Sequence, residues 1–160
     1  MCGIAGIVAA GRANPDAVAE MNAIQAHRGP DGVGLWSSPD GHCVLGHRRL
    51  SILDLSADAG QPMTLEGQGL SVTYNGEIYN YLELRARLEA AGHVFRTRSD
   101  TEVLLHAYLE WGEECLTQLN GMFAFAIWNE ATRTLFCARD RFGEKPFHYA
   151  LIGSALAFAS

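Results

Sequence analysis

The sequence predicts an α+β domain in four layers (αββα), two antiparallel sheets face to face with helices over their outer faces. Three observations lead there. Short apolar strands follow one another at hairpin spacing, one strand is apolar on both faces, and three amphipathic helical stretches each need a sheet to cover.

The opening reads as a strand over residues 4–8. Asn14-Pro15 then supplies an N-cap and a proline in the first helical position, opening a helix to about residue 27 with Val18, Met21 and Ile24 on its apolar face. A glycine-rich turn, HRGPDG at 27–32, ends that helix, and strands follow at 33–36, 43–48 and 70–74. Asn80 is placed to cap a second helix that carries Leu84, Leu88 and Ala91 and stops at Gly92. Ser99-Asp100-Thr101-Glu102 has the form of a capping box for a third, with Val103, Leu104, Ala107, Tyr108 and Trp111 as its buried stripe and Gly112 at its close. Residues 122–128 then set Phe123, Phe125 and Ile127 on one face and Ala124, Ala126 and Trp128 on the other. Both faces are apolar, so this strand should be covered on both sides. A turn at 129–132 leads into strands at 134–139, 147–151 and 155–159.

Length and composition bound the partners. A chain of 160 residues suits one domain with a real core, and 48% hydrophobic with 19% charged residues is ordinary for a globular protein. The net charge of -6 argues against nucleic acid, which needs a basic surface. No stretch is long and apolar enough for a membrane span, and the start is a poor signal peptide. Cys2, Cys43, Cys115 and Cys137 lack zinc or thioredoxin spacing, and the six histidines lack metal-ligand spacing. A reduced, cytoplasmic protein without a metal is the expectation.

Cys2 carries the chemistry that stands out. Methionine before a small residue is normally trimmed, which would leave Cys2 with a free α-amine beside its thiol. That amine has an ordinary pKa of about 7.7–8.0. Nucleophile and base would then sit in one residue. A buried cysteine at a strand start is the alternative for Cys2, and it is the reading for Cys43, Cys115 and Cys137. Asn75-Gly76 is also the strongest hairpin-turn dipeptide. Asp100 is equally explained as a first-turn acid favouring the helix dipole. Residue type alone does not choose between Arg48 and Arg49 as a carboxylate clamp.

Seven segments stand in one order: MCGI at 1–4, HRGPDG at 27–32, GHRRLSILD at 46–54, YNGEIYN at 74–80, SDTE at 99–102, GMFAFAIW at 121–128 and RDRFGEKP at 139–146. Together, and over essentially the whole chain, they resemble the class II glutamine amidotransferase domain of asparagine synthetases. The resemblance implies the N-terminal-nucleophile hydrolase fold and hydrolysis of L-glutamine to glutamate and ammonia. It makes Cys2 the nucleophile, with the Asn75 side chain and the Gly76 N–H as oxyanion hole. It selects Arg49 for the substrate's α-carboxylate and Asp100 and Glu77 for its α-ammonium, while Leu50, Ile52 and Leu53 line the path. His27, Arg28 and Asp31 match a motif without an assignable chemistry and read as loop support. Phe147 departs from a leucine common in relatives, a matter of packing. The domain would need no cofactor. ATP and magnesium would belong to a synthetase domain, in cis or in trans, that amidates aspartate. This chain would be an excised domain or a stand-alone half, and a homodimer is left open. Other amidotransferases with a different acceptor, or a non-catalytic module of the same fold, are the alternatives.

Overall fold

The computed structural model describes residues 1–50 and 60–160. Its strands are β1 (Gly3–Ala9), β2 (Gly32–Ser37), β3 (Cys43–Arg49), β4 (Met63–Leu65), β5 (Leu70–Ile78), β6 (Gly121–Asn129), β7 (Thr134–Arg139), β8 (His148–Ile152) and β9 (Ala155–Ala159). Its helices are α1 (Pro15–Ile24), α2 (Tyr81–Ala90), α3 (Asp100–Trp111) and the short α4 (Cys115–Gln118). The strands form two antiparallel sheets in the orders β2-β3-β1-β9-β8 and β4-β5-β6-β7.

Strand β6 explains why the sheets stack. Phe123, Phe125 and Ile127 join Val72, Tyr74, Leu88 and Leu104 in a core between the four-stranded sheet and α2 and α3. Ala124, Ala126 and Trp128 face the other way, onto Ile4, Leu45 and Phe158 of the five-stranded sheet. Helix α1 covers the outer face of that sheet, where Val18 meets Ala5 and Val44. The four layers follow. Phe147 lies against the inter-sheet core and stacks on Phe158 with ring centroids 5.3 Å apart, so the larger side chain is used in packing.

Four local expectations are corrected. Helix α1 ends at Ile24 rather than near residue 27, because Gln25 turns its side chain inward and donates to the Ile4 carbonyl at 3.2 Å. Its buried face is Val18 and Asn22, while Ile24 is 76% exposed. The helix lies so close to the sheet that a Cβ on Gly46 would come within 2.8 Å of Val18 and Asn22, and Asn22 Nδ2 donates to the Gly34 carbonyl. A small polar side chain suits that approach better than an isoleucine. Asn80 precedes α2 without capping it. Its side chain instead donates to the Gln118 carbonyl and accepts from Asn120 N–H, tying α2 to the entry of β6. Finally, β5 does not stop at Tyr74: pairing with β6 runs on through Asn75↔Ala124 and Gly76↔Phe123 to Ile78↔Gly121, so Asn75-Gly76 is strand and not a hairpin turn.

Candidate functional site

The first strand places Cys2. Register Gly3↔Arg48 between β1 and β3 brings the residue before β1 beside the residue after β3. Cys2 Sγ accepts from Leu50 N–H at 3.4 Å and lies 3.6 Å from the Leu50 carbonyl. Arg28 Nε donates to the Cys2 carbonyl at 3.2 Å, which gives that arginine of HRGPDG a contact the sequence did not reveal.

Opposite Cys2, β5 supplies the second half of a cavity of about 220 Å³. Of the residues singled out in the sequence, Cys2, Arg49, Leu50, Asn75, Gly76, Glu77 and Asp100 line it. Ile52 and Leu53 lie outside the described residues. Asn75 is 2% exposed, and its Nδ2 has no hydrogen-bond partner among the described residues. An amide donor left unmade in a protein interior costs about 1–3 kcal/mol, so an acceptor supplied from the cavity is the simplest use for it. Gly76 has no room for a side chain: a Cβ would stand 2.4 Å from the Met122 carbonyl and 2.7 Å from the Tyr74 ring.

Asp100 sits on the first turn of α3, buried, but its role exceeds that of a dipole-compensating acid. Its Oδ2 accepts from the Tyr74 hydroxyl at 2.7 Å and from Ile78 N–H at 3.0 Å. Burial pushes this carboxyl above its ordinary value, these two hydrogen bonds and one from its own N–H pull the other way, and neighbouring Glu77 adds to the rise. Burial and the adjacent Asp100 likewise raise the Tyr74 phenol, which stays a neutral donor. Ser99 caps α3 by accepting from Glu102 N–H at 3.3 Å. The Glu102 carboxylate does not return to the cap residue. It accepts from Arg96 N–H, Thr97 N–H and the Thr97 hydroxyl, fixing the segment that enters the helix.

Gln61, Tyr74, Thr101, Met122 and Lys145 also line the cavity, and residue type alone gave no reason to choose them. Gln61 Oε1 accepts from Tyr74 N–H at 2.7 Å while its Nε2 donates to Thr101 Oγ1 at 3.2 Å, bridging β5 to α3. Lys145 is buried and arrives on the loop after β7. That loop is organised by Asp140, which accepts from the N–H groups of Phe123, Phe142, Glu144 and Lys145. Burial would push its carboxyl up, but those four donors outweigh it and hold it below the ordinary value. The RDRFGEKP run, quoted only as a match, therefore has a structural explanation.

All four cysteines are free. Burial drives the Cys43 thiol far up and raises Cys115 and Cys137 to about 12, so none of the three supplies thiolate near neutral pH. A larger groove of about 860 Å³ lies beside β4 and the connection between α2 and α3, yet no cysteine lines it. Its two histidines, His93 and His106, are hydrogen-bonded to each other, and His93 also meets Glu110. No group of three or more His, Cys, Asp or Glu among the described residues is arranged to hold a metal ion. No helix among them is long and apolar enough to cross a membrane.

Known proteins resemble this chain over its whole length. The family described as "Glutamine amidotransferase domain" matches residues 1–160. The chain is 44% identical to asparagine synthetase [glutamine-hydrolyzing] 3 and 45% identical to asparagine synthetase [glutamine-hydrolyzing] 1, both of Bacillus subtilis (strain 168). Each match covers 100% of this chain and 26% of the relative, so the chain spans about a quarter of those proteins. Among solved structures, the glutamine phosphoribosylpyrophosphate amidotransferase of B. subtilis, complexed with ADP and GMP, superposes with a TM-score of 0.81 at 25% identity. The match covers 99% of this chain and 41% of that one.

Proposed function

Because the chain belongs to the glutamine amidotransferase domain family, we propose that it hydrolyses L-glutamine to glutamate and ammonia through a thioester on Cys2. The observation that carries the residue assignment is the unpartnered, buried Asn75 Nδ2, which lines the same cavity as Cys2. Nucleophile and oxyanion donor are required together, and here they arrive from different sheets.

Removal of Met1 frees the Cys2 α-amine to act as base. The thiol proton passes to that amine as sulfur bonds to the side-chain amide carbon of glutamine, and the resulting oxyanion rests on Asn75 Nδ2 and the Gly76 N–H. Collapse breaks the carbon–nitrogen bond, the proton returns to the leaving nitrogen, and ammonia departs. Water then adds to the thioester, with the amine again taking a proton, and expulsion of the thiol gives glutamate. Arg49 holds the substrate's α-carboxylate, Asp100 and Glu77 its α-ammonium, and Leu50 keeps Cys2 oriented through its backbone.

The ammonia is handed to an ATP- and magnesium-dependent synthetase region that amidates aspartate. The 44–45% identity to asparagine synthetases, against 25% to the phosphoribosylpyrophosphate enzyme, favours aspartate over the other acceptors. None of the steps above uses ATP or magnesium. A diazoketone analogue of glutamine should label Cys2 and leave Cys43, Cys115 and Cys137 unmodified, as peptide mass spectrometry would show. Cys2→Ala should abolish glutamate release while leaving circular dichroism unchanged. Glutamine hydrolysis near the unsubstituted rate in that variant would overturn the thioester.

A further inference from the structure

Tyr74 has no place in the chemistry above, yet it is tied to the site from three directions. Its hydroxyl donates to Asp100 Oδ2 at 2.7 Å. Its N–H is held by Gln61, whose other end is fastened to Thr101, the residue after Asp100. Its ring occupies the space that a side chain at position 76 would need. Strand β5 and helix α3 are thus pinned to each other at Tyr74 and Asp100.

We propose that Tyr74 is a positioning residue for glutamine recognition, its hydroxyl holding the Asp100 carboxylate in the orientation and ionised form that an α-ammonium group requires. The proposal rests on the assignment of Asp100 to that ammonium. A carboxylate oxygen has room for about two donors, and Tyr74 and Ile78 N–H fill Oδ2, so the ammonium falls to Oδ1. A buried carboxylate tends to protonate, and hydrogen bonds to its charged form oppose that tendency. Glu77 on β5 opposes ionisation as well. The other charged or titratable groups around the cavity are the N-terminal amine and Cys2 before β1, Arg49 at the end of β3 and Lys145 on the loop after β7, while Glu102 on α3 lines the neighbouring groove.

The test measures binding in a Cys2→Ala background, where glutamine is not consumed, against an analogue lacking the α-amine (4-carbamoylbutanoate). Tyr74→Phe should cut the preference for glutamine over the analogue by roughly tenfold, as loss of a hydrogen bond to a charged group does, with affinity for the analogue unchanged. Glutamine binding weakens as pH falls and Asp100 gains a proton, and the midpoint of that loss should move up by about one pH unit. Equal weakening toward both ligands, or an unmoved midpoint, would make Tyr74 a packing residue and overturn the proposal. Asp100→Asn should cut the preference about a hundredfold, leaving only what Glu77 contributes. If it does not, the assignment of Asp100 is what fails. Should Tyr74→Phe not fold, proton NMR of the unsubstituted protein decides, since the Tyr74 hydroxyl resonance must shift as Asp100 titrates. A hydroxyl indifferent to that titration would end the proposal.

Discussion

Helices α1 and α3 begin with the same device and do different work. Asn14 accepts from Asp16 and Ala17 N–H groups at an exposed helix start, and the acid that follows, Asp16, points into solvent. Ser99 accepts from Glu102 N–H, but Asp100, Thr101 and Glu102 are all buried and each bonds to another segment. The first cap satisfies only its own helix. The second turns the start of a helix into the wall of a cavity, because acids that would favour the dipole anyway are buried where other groups can use them.

Substitutions at the two starts should separate these burdens. Glu102→Ala strips the acceptor from two backbone N–H groups and the Thr97 hydroxyl, and should cost about 3 kcal/mol in urea unfolding. A loss below about 1 kcal/mol would mean that water replaces the carboxylate easily. Asp100→Asn should weaken glutamine binding about a hundredfold, as loss of one partner of a buried charge pair does, without destabilising the fold. The sign follows from linkage. Burial raises the folded carboxyl above its ordinary 3.8, so ionising it opposes folding; that cost is absent below the unfolded value and complete above the folded one. The asparagine variant should therefore be at least as stable as the parent at pH 7 and match it near pH 3. Asn14→Ala should cost about 1 kcal/mol and leave glutamine kinetics untouched. A change in KM there would show that α1 reaches the site through the sheet.

Capping is local, which is why both helix starts were readable from a few consecutive residues. The two-faced alternation of 122–128 is local as well, and it carried the layer order. What failed depended on partners distant in sequence. Asn75-Gly76 has turn chemistry, yet Ala124 and Phe123 across the ladder keep it extended. Ile24 fits the helical period, but Gly46 in β3 brings the sheet too near for that face to be used. The alignment of motifs with a known family named Cys2, Arg49, Asn75 and Asp100. Tyr74, Gln61 and Lys145 needed the structure, because a tyrosine in an apolar strand or a buried lysine after a glycine turn gives no signal of what it faces.

The alanines of β6 carry a consequence of their own. Cys2 stands beside one sheet and Asn75 on the other, where it pairs with Ala124. The reach between them is therefore a thickness, set by how much side chain is packed between two layers. Stacked sheets ordinarily lie about 10 Å apart, and small residues at 124 and 126 act as thin shims in that gap. A bulkier side chain there would change the distance between Cys2 and Asn75 as a washer changes the throw of a latch.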